Sequence, residues 1–144
     1  MRVDKFTREE WLEKYAKDAH WAVFEEDFPV HNMRADFILC VVDLSKNIPI
    51  IYSTVSELTA KSVCMEWGGS FPDYRGTPYT KRAFQVMMMY FKEFGYEMVS
   101  FLTRNDNYPM LKLGFSAGFK TTGLNTNKDG IFLENTLYFK EGDT

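Results

Sequence analysis

Cysteine and histidine are scarce: the 144-residue chain has two of each, Cys40, Cys64, His20 and His31. No Cys-x-x-Cys or His-x-x-x-His spacing occurs, so the usual ligands of a structural or catalytic zinc cannot be assembled, and no metal is expected. Each cysteine lies inside an apolar run, Ile38-Leu39-Cys40-Val41-Val42 and Val63-Cys64-Met65. A thiol in such a run behaves as a small buried hydrophobe, not as half of a disulfide. Long apolar stretches are missing too. The amino terminus, Met1-Arg2-Val3-Asp4-Lys5, is charged, which predicts neither a signal peptide nor a membrane span and points to a cytoplasmic setting. Positive charge is not in excess, since the formal net charge is −3. Nucleic-acid affinity rests on clustered Lys and Arg, so no nucleic-acid partner is expected.

What the chain does have is core material. Hydrophobic residues make up 45% and aromatics 17%, ample for a packed interior, and the length suits one domain over residues 1–144. Thr7-Arg8-Glu9-Glu10 has the form of a capping box and predicts a first helix running to about Phe24, with Trp11, Tyr15, Ala19 and Ala22 as its buried stripe. An acidic connector, Glu25-Glu26-Asp27, closes at Pro29. Ala35 to Asp43 and Ile48 to Val55 read as antiparallel strands joined through Leu44-Ser45-Lys46-Asn47. A third strand, from about Ser62 to Phe71, holds Gly68-Gly69, which suggests a bulge or a ligand pressed against backbone. The strongest helix is predicted from about Thr80 to Phe94, ended by Gly95, with Ala83, Phe84, Met87, Met88, Phe91 and Phe94 on its apolar face. Glu97 to Thr103 reads as a strand, Asn107 to about Phe115 as a short helix, Gly118 to Leu124 and Ile131 to Phe139 as strands, the last pair joined by the turn signal Asp129-Gly130. The order is helix, three strands, helix, strand, helix, two strands, an α/β or α+β sheet protein. It places Arg75 between a strand's end and a helix's start, where amides point outward and the helix dipole favours anions.

Three stretches together resemble the GNAT superfamily of acetyl-CoA-dependent N-acyltransferases. The first is Pro72-Asp73-Tyr74-Arg75-Gly76-Thr77, similar to the segment leading into that family's pyrophosphate-binding turn. The second is the following amphipathic helix with the strand Glu97 to Thr103. The third is Asn107, an apolar helix and Gly118-Phe119 at the family's Asn-to-Gly-Phe spacing. The resemblance spans Ser62 to Leu124. It implies a central, mixed, mostly antiparallel sheet flanked by helices, with a V-shaped split at the cofactor site. It also implies acetyl-CoA (coenzyme A) as cofactor, an amine-bearing small molecule or protein as acceptor, direct attack in a ternary complex, and room for a homodimer. The residues it assigns to the cofactor are Ser70, Arg75, Gly76, Thr77, Tyr79, Thr80, Lys81 and Asn107, with Arg82 as a further cation nearby.

The chain departs from the family pattern at two places. Pro78 and Thr80 stand at the small-residue positions of the phosphate loop, and proline has no amide proton to donate. Gly114 falls where the family often has the tyrosine that protonates the leaving thiolate. Tyr108 and Tyr79 are the nearest aromatic hydroxyls by sequence, and Tyr108 is the candidate acid. Glu66 is the candidate base for the attacking amine, because only the neutral amine is nucleophilic. Strand alternation puts its side chain opposite those of Met65 and Trp67. The acidic connector could steer a cationic amine, and His31 follows it. Each of these residues also has a plain reading as a surface or packing residue. The competing whole-chain reading is a catalytically degenerate GNAT-like binding or structural module, of a look familiar among phage-encoded proteins.

Overall fold

In the computed structural model, which describes residues 1–26 and 34–139, seven strands form one sheet in the order β1-β2-β3-β4-β5-β7-β6. The elements are β1 (Arg2–Thr7), α1 (Arg8–Lys14), α2 (Ala16–Phe24), β2 (Phe37–Asp43), β3 (Ile48–Thr59), β4 (Ser62–Ser70), a 3₁₀ turn (Pro72–Tyr74), α3 (Pro78–Glu93), β5 (Met98–Arg104), α4 (Tyr108–Ser116), β6 (Lys120–Asn127) and β7 (Gly130–Tyr138). Neighbouring strands are antiparallel except β4 and β5. That is the mixed, mostly antiparallel sheet flanked by helices that the family resemblance implied.

Alternation along β2 shows why the sheet needs helices on both sides. Phe37, Leu39 and Val41 point into one core with Phe84, Met87, Met88 and Phe91 of α3. Ile38, Cys40 and Val42 point into a second core with Trp11, Ala16 and Ala19 of α1 and α2. A strand buried on both faces has to read as a continuous apolar run. In α3, Met87 and Met88 are buried and Met89 is exposed, as helical spacing requires. Phe94, predicted on the buried face, instead lies exposed at the helix end and stacks on Tyr90 at 4.8 Å.

Two features of the first 25 residues differ from the sequence reading. Residues Arg2–Thr7, expected as a charged lead-in to a helix, are an edge strand paired with β2 from Arg2↔Val42 to Thr7↔Phe37. The strand carries one apolar anchor per face, Val3 to one core and Phe6 to the other, so no hydrophobic run announces it. The predicted single helix is two. Its capping box is present, with the Glu10 amide donating to Thr7 Oγ1 at 3.2 Å and the Thr7 amide to Glu10 Oε1 at 3.1 Å. The helix nonetheless breaks at Tyr15, whose φ and ψ are −126° and −25°. The break seats Trp11 on Tyr52, centroids 5.3 Å apart, while α2 packs its own end on β4. Tyr15, expected inside the stripe, is 44% exposed. Asp27 and His31, singled out from the sequence, lie outside the described residues.

Candidate functional site

The sheet splits between its two parallel strands. β4 and β5 pair only from Ser62↔Met98 to Met65↔Phe101. Beyond that point residues 68–70 pair with β3 and residues 102–104 with β7. A parallel pair that diverges at its carboxyl ends leaves a V-shaped opening, and crevices at that end of such strands are where ligands bind in open α/β sheets. Both strands then lead to helix starts, β4 to α3 and β5 to α4, so two helix N-termini face the opening.

On the β4 side, divergence is produced by a bulge. The β3–β4 register slips between Ser53↔Gly68 and Val55↔Met65, which gives β4 one extra residue opposite Thr54. Thr54 Oγ1 accepts from the freed Trp67 amide at 2.9 Å. Gly68 is required here, because a Cβ would sit 2.2 Å from the Tyr52 carbonyl oxygen. The bulge also corrects the alternation argument for Glu66. Met65 does face α3 and Glu66 does not, but Trp67 returns to Glu66's side and packs on His20 and Phe24 of α2, centroids 5.5 and 5.8 Å away. Glu66 is exposed there, and its Oε1 accepts from Ser56 Oγ at 2.7 Å.

The loop after β4 is held by its own hydroxyls. The Tyr74 carbonyl accepts from Thr77 Oγ1 at 2.6 Å, from Thr80 Oγ1 at 2.7 Å and from the Thr77 amide at 3.1 Å. Ser70 Oγ lies 2.6 Å from Thr80 Oγ1. The Tyr74 ring is buried, and its hydroxyl donates to Asp43 Oδ2 at 2.9 Å on the β2–β3 hairpin. Burial and the nearby carboxylate push the Tyr74 hydroxyl up to about 12, while hydrogen bonds from Ser45 and Tyr74 hold Asp43 below the usual carboxylate range. Of the proposed cofactor residues, Ser70, Thr77 and Thr80 thus turn their side chains inward to shape the loop. Arg75 is also engaged: Nε donates to the Ser70 carbonyl at 3.2 Å, and Nη2 donates to the carbonyls of Ala22, at 3.2 Å, and Val23.

What remains for an anion is backbone and two cations. Pro78 occupies the first position of α3, where an amide proton would have no helical acceptor in any case. The amides of Arg75, Thr77 and Thr80 bond within the loop. Those of Gly76, in the left-handed region at φ +73°, and Tyr79 have no acceptor among the described residues. The first turn of α3 holds no acid, and exposed Lys81 and Arg82 follow it at once. Placing cations at a helix's positive end opposes the dipole preference unless an anion lies between them. Tyr79 is exposed, with its ring edge-on to Tyr74.

Across the opening, Asn107 caps α4, accepting from the Met110 amide at 3.4 Å and donating through Nδ2 to Thr103 Oγ1 at 3.1 Å. Tyr108 follows it at 72% exposure. Gly114 points inward: a Cβ there would be 2.8 Å from Phe101 Cζ and 3.6 Å from Phe119 Cβ. The Phe101 ring therefore fills the space a larger side chain would need. Two open surface depressions lie away from the split; one, of about 320 Å³, is lined by Met88, Met89, Leu137 and Phe139. Among the described residues no His, Cys, Asp and Glu side chains gather in threes as a metal site would need, and no helix is long and apolar enough to cross a membrane.

Neither a protein-family model nor a curated protein matches the sequence. Solved structures do. A GNAT-family acetyltransferase from Bacillus anthracis superposes with a TM-score of 0.67 at 16% identity, over 94% of this chain and 93% of that one. An acetyltransferase from Bacillus subtilis in complex with CoA gives 0.70 at 10% identity, over 96% and 99%. The ribosomal-protein-S5-alanine acetyltransferase from Vibrio fischeri gives 0.61 at 18% identity over 71% of this chain, which spans 61% of that protein's length. At these identities the likeness establishes architecture, and the chain has the GNAT fold: one mostly antiparallel sheet, split between its two parallel strands, with a loop and helix start at the split.

Proposed function

We propose that residues 1–144 act as one GNAT domain that binds acetyl-CoA in the split and transfers its acetyl group to an amine. The observation that carries this reading is the meeting of the split with an acid-free helix start that has two exposed cations and, at Gly76 and Tyr79, two amides with no acceptor among the described residues. A coenzyme A phosphate suits that chemistry. The resemblance in fold to an acetyltransferase whose structure holds CoA supports the same choice of ligand. In the reaction, the bound thioester supplies an acyl carbon open to attack. Gly76 and Tyr79 would hold phosphate through their amides, with Lys81, Arg82 and Arg75 adding positive charge. Ser70, Thr77, Thr80 and Asn107 fix the loop and the α4 start that frame the ligand.

Glu66 is the candidate base for the amine proton. Ser56 holds its Oε1, leaving Oε2 without a partner among the described residues. Tyr108 is the candidate acid at the opposite wall, on the strength of its exposed hydroxyl at the start of α4. The acceptor is an amine on a small molecule or a protein.

A specific observation favours a second reading, in which the chain binds but does not transfer. The position where related enzymes carry an acid is Gly114 here, packed against Phe101 with no room for a side chain. Calorimetric titration with acetyl-CoA and coenzyme A, followed by a free-thiol assay with a panel of amines, separates the readings. We expect micromolar binding, about −8.2 kcal/mol, with thiol release above background. Binding without release assigns the module; neither heat nor thermal stabilisation at millimolar ligand overturns the acetyl-CoA reading and leaves a module that does not use this cofactor.

A further inference from the structure

Arg75 belongs by sequence to the loop, but its side chain reaches back more than fifty residues to the end of α2. A helix ends with four carbonyls lacking intrahelical donors, and these ends favour a cation. α2 has no basic residue in its last turn, and its cap, Glu25, sits in the left-handed region at φ 53° with an acidic side chain. Arg75 supplies what the helix lacks, two donors to Ala22 and Val23 and a positive charge at the negative end of the dipole. Nε ties the same guanidinium to Ser70 at the end of β4. The planar fork lets one residue hold both partners, and Nη1 is left with no bond among the described residues.

The rest of the contact zone follows the same line. A Cβ on Gly69 would be 2.7 Å from Val23 Cγ1, so α2 lies directly on the β4 wall of the split. Trp67 packs on Phe24 and on the buried ring of His20, and His20 Nε2 lies 3.1 Å from Glu26 Oε1. From Trp67 to Arg75, the wall and the loop thus touch the C-terminal end of α2 at successive points. Gly76, whose amide is open to a ligand, is the next residue in the chain.

We propose that Arg75 is a positioning residue: it clamps the C-terminal end of α2 to the loop before α3, so that the helix backing one wall of the split and the loop beside the ligand act as one body. Only the identity of the ligand's phosphate rests on the coenzyme A reading; the clamp itself needs no ligand.

Hydrogen exchange followed by mass spectrometry on the full chain, without ligand, tests the clamp. In Arg75→Ala the amides at the end of α2, Trp21 to Glu25, should exchange about tenfold faster or more, the scale of a lost hydrogen bond to a charged group. The buried turns of α3 from Phe84 to Phe91 should be unchanged. Arg75→Lys keeps the charge but not the fork and should recover only part of the protection. Unchanged exchange at α2 in both variants, or acceleration shared equally by α3, overturns the clamp. Titration of the wild-type chain with coenzyme A is read separately: failure to bind removes the phosphate assignment and leaves the exchange result to decide the clamp.

Discussion

The two faces of the sheet are built to different rules. On the α3 and α4 face the core is continuous from Val3 on β1 through Val55, Val63, Val99 and Phe101 to Leu137 on β7. On the other face, α1 and α2 cover a smaller cluster around Ile38, Cys40, Val42 and Tyr52. Past β4 that face turns polar, and it is exposed from Leu102 and Glu134 onward. Paired residues share a face, so Ser100 lies beside Thr136 and Leu102 beside Glu134, with Glu66 and Ser56 on the neighbouring strands. One face supplies most of the core, while the other sets buried Ser100 and Thr136 beside exposed Glu66, Leu102 and Glu134. The split lies at the junction, where Phe101 belongs to the closed face and Leu102 to the open one.

Truncation is the bluntest way to break this contrast. Phe91 is fully buried on α3, and Phe91→Ala should cost about 3–5 kcal/mol in urea unfolding. Leu102 is 48% exposed on the open face, and Leu102→Ala should cost less than about 1 kcal/mol. Similar losses from the two would mean that the open face is also part of the core. A smaller effect is expected from Gly114→Tyr, which tests whether the closed face can give way at the split. The new side chain has to displace the Phe101 ring, and overpacking of this kind typically costs about 1–3 kcal/mol. We expect that loss of stability with no gain in thiol release from acetyl-CoA. A stable variant with faster release would show that Phe101 moves aside and that an acid can work from this position.

Features set by neighbours in the chain were legible in the sequence. The capping box at Thr7, the hairpin at Leu44 to Asn47 and the helix stop at Gly95, with φ +93°, each depend on a few adjacent residues. Gly68-Gly69 suggested a bulge or a ligand pressed against backbone; the bulge is there, just before Gly68, and what Gly68 lies against is the backbone of Tyr52 on β3. What escaped depends on partners far away. Strand β1 forms because β2 offers it an edge, not because its own residues alternate strongly. The bend at Tyr15 follows the packing of Trp11 and α2 on different strands and carries no proline or glycine. Trp67 could not be placed without knowing which residue the bulge adds. Arg75 reads as a phosphate ligand because its neighbours form a loop, yet its side chain is committed to a helix end that no local pattern connects to it. The hydroxyls of Thr77 and Thr80 close on the Tyr74 carbonyl, a contact that no local pattern announces.

The smallest expected effect bears most directly on whether the junction binds an anion. Pro78 begins α3 and so removes one of the amides that would face the opening. Pro78→Ala restores that donor next to Gly76 and Tyr79 while keeping a residue suited to a helix. Two consequences follow, and they are measured apart. The unfolded chain gains freedom, so stability in denaturant should fall by about 0.4–1 kcal/mol, since proline's fixed φ already suits a helix's first turn. If a phosphate sits at the helix start, the added amide should tighten coenzyme A by about 0.5–1.5 kcal/mol, the net contribution of one neutral hydrogen bond. Alanine is the better probe than glycine, which would loosen the first turn as well and blur the stability reading. Tighter binding with lower stability would describe a working cradle that its own sequence has cut by one donor. Lower stability with unchanged or weaker binding would mean that the ligand's phosphates lie elsewhere along the split, and that the two cations after the first turn serve a partner other than coenzyme A.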